Sequence, residues 1–392
     1  MKKEVFIVSM ARTPIGSLGG ILAAVNAVEL GKTAVMAAMQ RAGINGDQVD
    51  EVYMGNVLQA NLGQAPAQQV SIASGINTKT PCTTVNKVCA SGMKAMMLGA
   101  QSILLGDNDI VVAGGMESMS NSPHYLPYGR TGLRYGNGEI IDAIVRDGLQ
   151  DPYKKYMMGN AGEVCAKHYH FTREQQDAYA VASYKRAQAA YANGYFNDEL
   201  VGVTIASKKG ESTITEDEEY KKFDESKVGL LKPAFEKDGT ITAINASKIN
   251  DGASAVVLMS GEKVKELGVK PLAKILSFAD ASQDPEWFTT TPGKALPKAL
   301  SKANLEIKDV DFFEINEAFS VVALANMKEM NISHEKINVF GGAVALGHPI
   351  GSSGCRIVCT LISVLAHKNG KIGAAAICNG GGGASAIIVE KM

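Results

Sequence analysis

The sequence predicts an α/β protein in which two duplicated, βαβ-rich halves form layered sheets and helices, with a loop domain inserted between them. Three observations lead to this prediction. Strand-like and helix-like segments alternate, one pattern recurs after about 261 residues, and a stretch rich in glycine and proline separates the two copies. Of the 392 residues, 46% are hydrophobic and 20% are charged, a balance that favours a large buried core over disorder.

Apolar runs that favour strands alternate with longer segments that favour helices in the first part of the chain. We expect a strand, a helix and a strand at 3–9, 27–42 and 51–54, then the same succession at 83–88, 91–105 and 109–113. Helices placed between strands at this spacing indicate parallel strands joined by crossover helices.

An internal repeat supports the duplication. Residues 31–56 resemble residues 293–316, since each segment suggests a helix, a polar turn, a Val-Asp pair and a strand that ends in asparagine. Two further matches follow in the same order, 91–94 with 353–356 and 110–115 with 374–381. Three matches in one order indicate two copies of one domain.

These observations divide the chain into three parts. We expect an N-terminal half at 1–118 that is completed by about 249–270, a loop domain at 119–248, and a C-terminal half at 271–392. Long irregular segments in compact proteins usually form lids or binding surfaces, so the loop domain is expected to lie over the paired halves.

Charge and cysteine content exclude several classes of protein. Lys+Arg 39 against Asp+Glu 40 gives a net charge of −1, so we expect neither nucleic acid nor a membrane as partner. We expect no apolar run that approaches the roughly 18 residues needed to span a bilayer, and no apolar core of a signal peptide in the first residues. The six cysteines include no C-x-x-C pair, which favours free thiols in a reducing compartment. We therefore expect a soluble, cytoplasmic protein.

Cys89 is the first candidate for chemistry, because it lies where a predicted strand gives way to a helix. A helix N-terminus lowers the pKa of a thiol, and its free N–H groups can hold a developing oxyanion. The alternative is a structural cysteine that packs as a small hydrophobic side chain.

Three more candidates lie in the second copy. His348 stands in a loop of glycines and prolines and could act as a base, although a lone loop histidine is often only a surface residue. Cys378 and Asn316 end predicted strands, where open α/β sheets place their sites, and four glycines follow at 380–383. Asn316 could instead cap the next helix.

Two chemistries compete for this set of side chains. No cysteine or histidine pair has the spacing of a structural zinc site, which disfavours metal binding. Two thiols and a base suit acyl transfer, in which one thiolate carries an acyl group and the other removes a proton alpha to a second thioester carbonyl.

At these residues the chain resembles the thiolase family, in particular its biosynthetic acetyl-CoA acetyltransferases, from residue 11 to residue 390. The motifs that carry the resemblance are 86–94, 114–120, 316–319, 347–349 and 378–386. The resemblance implies a thiolase fold assembled as a homotetramer, a dimer of dimers. It also implies the reversible condensation of two acetyl-CoA to acetoacetyl-CoA and CoA, with ping-pong kinetics. A degradative 3-ketoacyl-CoA thiolase of broader chain length is the alternative.

The resemblance also implies roles for the candidates. Cys89 matches the nucleophile that is acetylated, His348 the base that activates it, and Cys378 the acid/base at the substrate methyl group. Asn316 matches the residue whose bound water forms one oxyanion hole with His348. The backbone N–H groups of Cys89 and Gly380 match the other hole.

No cofactor is implied beyond the coenzyme A thioester substrates, and a potassium site is implied only for the mitochondrial type. The positions that match coenzyme A contacts are Tyr184, Lys222, Phe223, Asp224, Lys227, Phe235, Ser247 and Phe319. The positions that match the potassium cage are Tyr184, Ala243, Ile244, Ala246 and Val344.

The chain departs from the family pattern at three positions. Met157 stands where a histidine is usual, which could alter the preferred acyl chain length. Lys248 stands where a small residue is common and would add a charge near the pantetheine tunnel. Thr289 replaces the proline that follows Phe288 in the mitochondrial form, which bears on 2-methyl-branched substrates.

Overall fold

The computed structural model describes residues 3–207 and 210–392, and within these ranges the chain forms fourteen β-strands and ten α-helices. The strands are β1 (Val5–Arg12), β2 (Gly16–Ser17), β3 (Glu51–Gly55), β4 (Cys82–Val85), β5 (Ile110–Ser118), β6 (His124–Tyr125), β7 (Ile141–Asp142), β8 (Val203–Ser207), β9 (Gly210–Ile214), β10 (Asn250–Ser260), β11 (Ala273–Ser282), β12 (Phe312–Ile315), β13 (Ile372–Asn379) and β14 (Gly383–Lys391). The helices are α1 (Ala27–Ala42), α2 (Pro66–Ala73), α3 (Ser91–Leu105), α4 (Met158–Tyr169), α5 (Arg173–Ala192), α6 (Gly261–Leu267), α7 (Pro292–Lys302), α8 (Ser320–Met330), α9 (Ala343–Leu346) and α10 (Ser353–His367).

One ten-stranded sheet joins the two halves of the protein. Its order is β12-β13-β14-β11-β1-β10-β5-β3-β4, and β2 pairs with β10. In the first half, β3 is parallel to β4 and β5, while β10 is antiparallel to β5 and β1. In the second half, β12 is parallel to β13, and β14 is antiparallel to β13 and β11.

The strand order is the same in both halves, which confirms the predicted duplication. The chain at Ile337 forms a parallel bridge with Phe313 in β12, in the place that β4 takes beside β3. The halves meet where β1 pairs with β11. Since one sheet runs through both halves, the sequence boundaries between them stay a prediction.

Helices α3 and α10 pack against each other between the two halves. Their fully buried side chains, including Met93, Met96, Ile357 and Leu361, share one core with side chains of the sheet. Alternate residues of β10 face this core or the layer that contains α1, as strand geometry requires. Helices α7 and α8 contribute to a third core in the second half.

One expectation about apolar runs is wrong. The stretch Val88–Leu105 is 18 residues long with a mean hydropathy of 1.3, so by length and composition it could cross a membrane. In the structure, most of this stretch is α3, and 61% of it is buried. Its apolar side chains are those of a core helix between sheet strands and α10.

A fully buried ion-pair cluster fixes the inserted segment to both halves. Arg12, at the end of β1, donates from Nε to Glu199 Oε1 at 2.5 Å and from Nη1 to Asp217 Oδ1 at 2.8 Å. Asp217 Oδ1 also accepts the N–H of Ile15 at 2.7 Å. Ser363 of α10 donates to Glu199 at 2.8 Å, so the cluster connects three parts of the chain.

Replacing Arg12 with methionine should destabilise the protein by about 3–5 kcal/mol, because two carboxylates would stay buried without their cation. Chemical denaturation monitored by circular dichroism measures the change. Lys308→Met is the control, since its ion pair with Glu306 is exposed on both sides and should change stability little. Equal stability of Arg12→Met and wild type would contradict the assigned role of the cluster.

Candidate active site

A strained turn carries Cys89 from β4 to α3. Val88 has φ +49°, a left-handed conformation that is rare for a β-branched residue. The hydroxyl of Ser91 holds this turn, since it donates to the Val88 carbonyl at 2.6 Å and accepts the Lys87 N–H at 2.8 Å. Cys89 therefore lies just before α3, in a turn whose backbone conformation is held by the hydrogen bonds of Ser91.

Burial raises the pKa of the Cys89 thiol to about 12. Hydrogen bonds from the backbone of Gly380 and of Cys89 itself lower it in part, and the charge of Glu117 raises it further. The expectation that the helix N-terminus makes this residue a thiolate is therefore wrong for the resting protein. The thiol needs a base that removes its proton.

His348 is a buried, neutral imidazole on the turn between α9 and α10. Burial, followed by the charge of Arg356, lowers its pKa to about 3. Ser353 Oγ donates to the Pro349 carbonyl at 2.9 Å, so the 2.6 Å contact between Ser353 Oγ and His348 Nδ1 needs a proton on Nδ1. The hydrogen-bond network thus leaves Nε2 as an unprotonated acceptor.

Asn316 and Cys378 lie at the ends of neighbouring parallel strands. Asn316 follows β12, is buried, and places Nδ2 3.5 Å from His348 Nε2. Among the described residues, none forms a hydrogen bond with its buried Oδ1, so this amide has capacity for a bound molecule. Cys378 is buried near the end of β13, where burial, followed by the nearby Cys89, raises the pKa of its thiol well above the usual range.

Two glycines at matching positions of the repeat bring these groups together. A Cβ on Gly92 would lie 3.0 Å from the carbonyl oxygen of Ser352, and a Cβ on Gly354 would lie 2.5 Å from the backbone nitrogen of Met93. Only glycine allows the first turns of α3 and α10 to approach this closely. Cys89, which lies before α3, and His348, which lies before α10, are thereby placed in the same region of the protein.

A cavity of about 230 Å³ adjoins His348. Its wall is mostly apolar and includes Met157, Met158 and Ile350. Three of the residues expected to contact coenzyme A also line it, namely Phe235, Ser247 and Phe319. The rings of Phe235 and Phe319 pack edge to face with centroids 5.9 Å apart. The cavity could hold the flexible arm of a thioester.

The other expected coenzyme A contacts do not line this cavity. The rings of Tyr184 and Phe223 stack on each other with centroids 4.6 Å apart. Lys227 pairs with Asp224 at 3.0 Å on the surface.

The second predicted lysine also has partners within the chain. Lys222 pairs with Glu218 at 2.8 Å and donates to Ser17 Oγ at 2.5 Å. Because these partners already engage Lys222, a phosphate would have to compete with them for the ammonium group.

Lys248 lies among the residues expected to form a potassium cage. Its Nζ donates to the Ala246 carbonyl at 2.7 Å, lies 3.5 Å from the Val344 carbonyl oxygen, and sits 5.7 Å from the ring centroid of Tyr184. Burial lowers the pKa of Lys248 to about 8, while Glu219 and Glu317 raise it. The donor set therefore does not fit potassium, because a cationic side chain already contacts two of the five candidate positions through their carbonyls. Ala243 is exposed and Ile244 is partly exposed.

Sequence reasoning missed the residues that support His348. Ser353 fixes the ring through Nδ1, and Asn250 Oδ1 accepts the backbone N–H of His348 at 2.8 Å. The internal repeat could have identified Ser353, since Ser353 aligns with Ser91 when the two copies are compared. Each of these serines donates to a carbonyl of the turn before its helix.

The chain is similar to known proteins along its whole length. Two family models match it, the thiolase N-terminal domain over residues 5–262 and the thiolase C-terminal domain over residues 269–391. The acetyl-CoA acetyltransferase of Schizosaccharomyces pombe is 55% identical, with 99% of each chain covered. A cytosolic acetyl-CoA acetyltransferase of Gibberella zeae is 53% identical, covering 99% of this chain and 98% of its own. The Acat5 thiolase of Ascaris suum, solved in complex with coenzyme A, has a TM-score of 0.94 and 49% identity over 100% of both chains.

The lowered pKa of His348 predicts a specific loss of stability in acid. The unfolded chain binds a proton on this residue below pH 6.5, whereas the folded chain does so only near pH 3. The stabilisation is complete above pH 6.5 and falls by about 1.4 kcal/mol per pH unit below it, or about 2 kcal/mol at pH 5. Between pH 7 and pH 5, His348→Gln should therefore lose about 2 kcal/mol less stability than wild type in urea titrations.

The exposed His124 supplies the control for this experiment. His124→Gln should keep the pH dependence of the wild type. Identical acid sensitivity of His348→Gln and wild type would show that the imidazole is not held neutral.

Proposed function

The chain belongs to the thiolase family, and we propose that it is an acetyl-CoA C-acetyltransferase that reversibly condenses two acetyl-CoA into acetoacetyl-CoA and CoA. The Cys89 and Cys378 thiols interact with each other, and the neutral imidazole of His348 lines an apolar cavity with the unpartnered amide of Asn316 3.5 Å away. This grouping of two thiols, an imidazole and an amide carries the proposal. Full-length relatives at 52–56% identity bear the name acetyl-CoA acetyltransferase, which disfavours the degradative alternative.

In the first half-reaction, Cys89 attacks the carbonyl carbon of acetyl-CoA. His348 Nε2 accepts the thiol proton of Cys89 as the carbon–sulfur bond forms, and Cys378 donates its own proton to the sulfur of the departing CoA, which leaves Cys378 as a thiolate. The backbone N–H groups of Cys89 and Gly380 stabilise the oxyanion of the tetrahedral intermediate. The acetyl group remains on Cys89 as a thioester.

In the second half-reaction, Cys378 acts as a base on the second acetyl-CoA. It removes a methyl proton, and the resulting enolate oxygen is stabilised by His348 and a water held by Asn316. The enolate carbon attacks the acetyl group on Cys89, and the Cys89 sulfur leaves as the new carbon–carbon bond forms and recovers its proton from His348. Thiolysis of acetoacetyl-CoA follows the same steps in reverse.

The substrate of each half-reaction carries a coenzyme A moiety. The solved Ascaris suum thiolase was obtained with coenzyme A, and we propose that the cavity lined by Phe235, Ser247 and Phe319 holds part of that molecule here. We propose that the loop-domain positions Tyr184, Lys222, Phe223, Asp224 and Lys227 contact the nucleotide end of the substrate. This arrangement requires the two lysines to exchange their carboxylate partners for phosphate.

The family and its relatives also support a proposal about assembly and location. We infer a homotetramer built as a dimer of dimers, in agreement with the family resemblance. A cytoplasmic location is consistent with the Gibberella zeae relative, which is named cytosolic.

Cys89→Ser and Cys378→Ser should separate the two half-reactions. With radiolabelled acetyl-CoA, Cys89→Ser should form no acetyl-enzyme, whereas Cys378→Ser should still be labelled but should lose condensation by more than about a thousandfold. Cys82→Ser, at a partly buried cysteine outside the site, is the control and should keep both steps. Full turnover by Cys89→Ser, or absence of label on Cys378→Ser, would contradict the assigned roles.

Chain-length preference tests the choice of substrate. Thiolysis rates with free CoA are compared for acetoacetyl-CoA, a six-carbon 3-ketoacyl-CoA and a longer straight-chain one. We expect strong preference for acetoacetyl-CoA, because Met157, Met158 and Phe319 leave little room in the cavity. Comparable rates on longer chains would establish the degradative reaction instead.

A further inference from the structure

The side chain of Lys248 forms a bridge between two segments that border the cavity. Ala246, whose carbonyl accepts from Nζ at 2.7 Å, precedes the cavity residue Ser247. Val344, whose carbonyl oxygen lies 3.5 Å from Nζ, belongs to α9, directly before the turn that carries His348. One ammonium group therefore touches the substrate side and the imidazole side of the same cavity.

The Val344 carbonyl is available for this contact because α9 stops there. A continuing helix would direct the N–H of His348 to the carbonyl of Val344, but that N–H donates to Asn250 Oδ1 at 2.8 Å. The released carbonyl accepts from Lys248, and the face of Tyr184 lies 5.7 Å from Nζ. Carbonyl oxygens and an aromatic face are the partners that a small monovalent cation takes.

Negative charge surrounds this position from two other segments. The carboxylates of Glu219 and Glu317 interact with Lys248. Glu317 is held by Ser183 and by the N–H of Val344, which it accepts at 3.1 Å, so its place is fixed. The negative charges of Glu219 and Glu317 therefore compensate a positive charge at Nζ.

We propose that the ammonium of Lys248 is a built-in replacement for a bound monovalent cation, which makes the enzyme independent of potassium. An ammonium group and a potassium ion carry the same charge and both bind carbonyl oxygens. A potassium ion on the carbonyls of Ala246 and Val344 would meet the like charge of Nζ at contact distance. Lys248 is a positioning residue, since it acts by holding the cavity wall and the segment that leads to His348.

The test compares wild type, Lys248→Ala and a control lysine variant in chloride salts of potassium and of tetramethylammonium at equal ionic strength. Thermal melting and the KM for CoA in thiolysis are both measured. Wild type should show less than about a twofold change in KM and no shift in melting temperature between the salts. Lys248→Ala should show a KM raised about tenfold in tetramethylammonium, recovery in potassium, and a higher melting temperature in potassium.

Lys237→Ala removes an exposed lysine of the same inserted segment and should behave as wild type in both salts. Lys248→Met removes the charge but keeps most of the volume, so its KM should rise without recovery in potassium. This variant also serves if Lys248→Ala does not fold. Specific activation or stabilisation of wild type by potassium would overturn the proposal, as would a Lys248→Ala protein that responds alike to both salts.

The kinetic part of this inference rests on the proposed thiolase activity, whereas the melting measurement does not. If wild type fails to cleave acetoacetyl-CoA, the proposed function fails. The cation dependence of the melting temperature would still decide whether Lys248 replaces a bound ion.

Discussion

The contact between the first turns of α3 and α10 is the constraint on which the rest of the structure depends. Gly92 and Gly354 permit it, since a Cβ at either position would lie 3.0 Å or less from the backbone of the other segment. Cys89 lies two residues before one helix and His348 lies in the turn before the other, so the contact between the helices fixes where both side chains lie. Duplication of one domain supplies this pairing, because each copy contributes the same Ser-Gly start to its helix.

Buried carboxylates hold the loops that surround this contact. Glu117 accepts the backbone N–H groups of Val57, Leu58 and Gly351, the last at 2.9 Å. These N–H groups belong to turns that have no helix or sheet partner, and burying them unpaired would be costly. Glu317 has the same function in the second copy, where it accepts the N–H of Val344.

The low polarity around the site determines which of its titratable side chains carry a proton. Burial raises the pKa values of both Cys89 and Cys378 and lowers that of His348, so the resting groups are two thiols and a neutral ring. When a substrate oxygen becomes negative, the backbone N–H groups of the site stabilise it with little screening from water. The cation of Lys248 also borders the cavity, where it contacts the carbonyls of Ala246 and Val344.

The amino-acid sequence alone predicts the α/β class and the duplicated halves. It also identifies Cys89, His348, Asn316 and Cys378 as the candidate site residues. These follow from local patterns, since alternation, repeats and glycine-rich turns at strand ends lie within short stretches of chain. The ionisation of Cys89 does not follow, because the helix N-terminus that favours a thiolate is local, while the burial that opposes it comes from residues of both halves that pack around Cys89. The contacts of Lys222 with Ser17 and of Lys248 with Val344 are likewise missing from local patterns. Dielectric surroundings and long-range hydrogen-bond partners are supplied by residues far away in the chain, so they exist only once the two halves and the inserted segment have packed together.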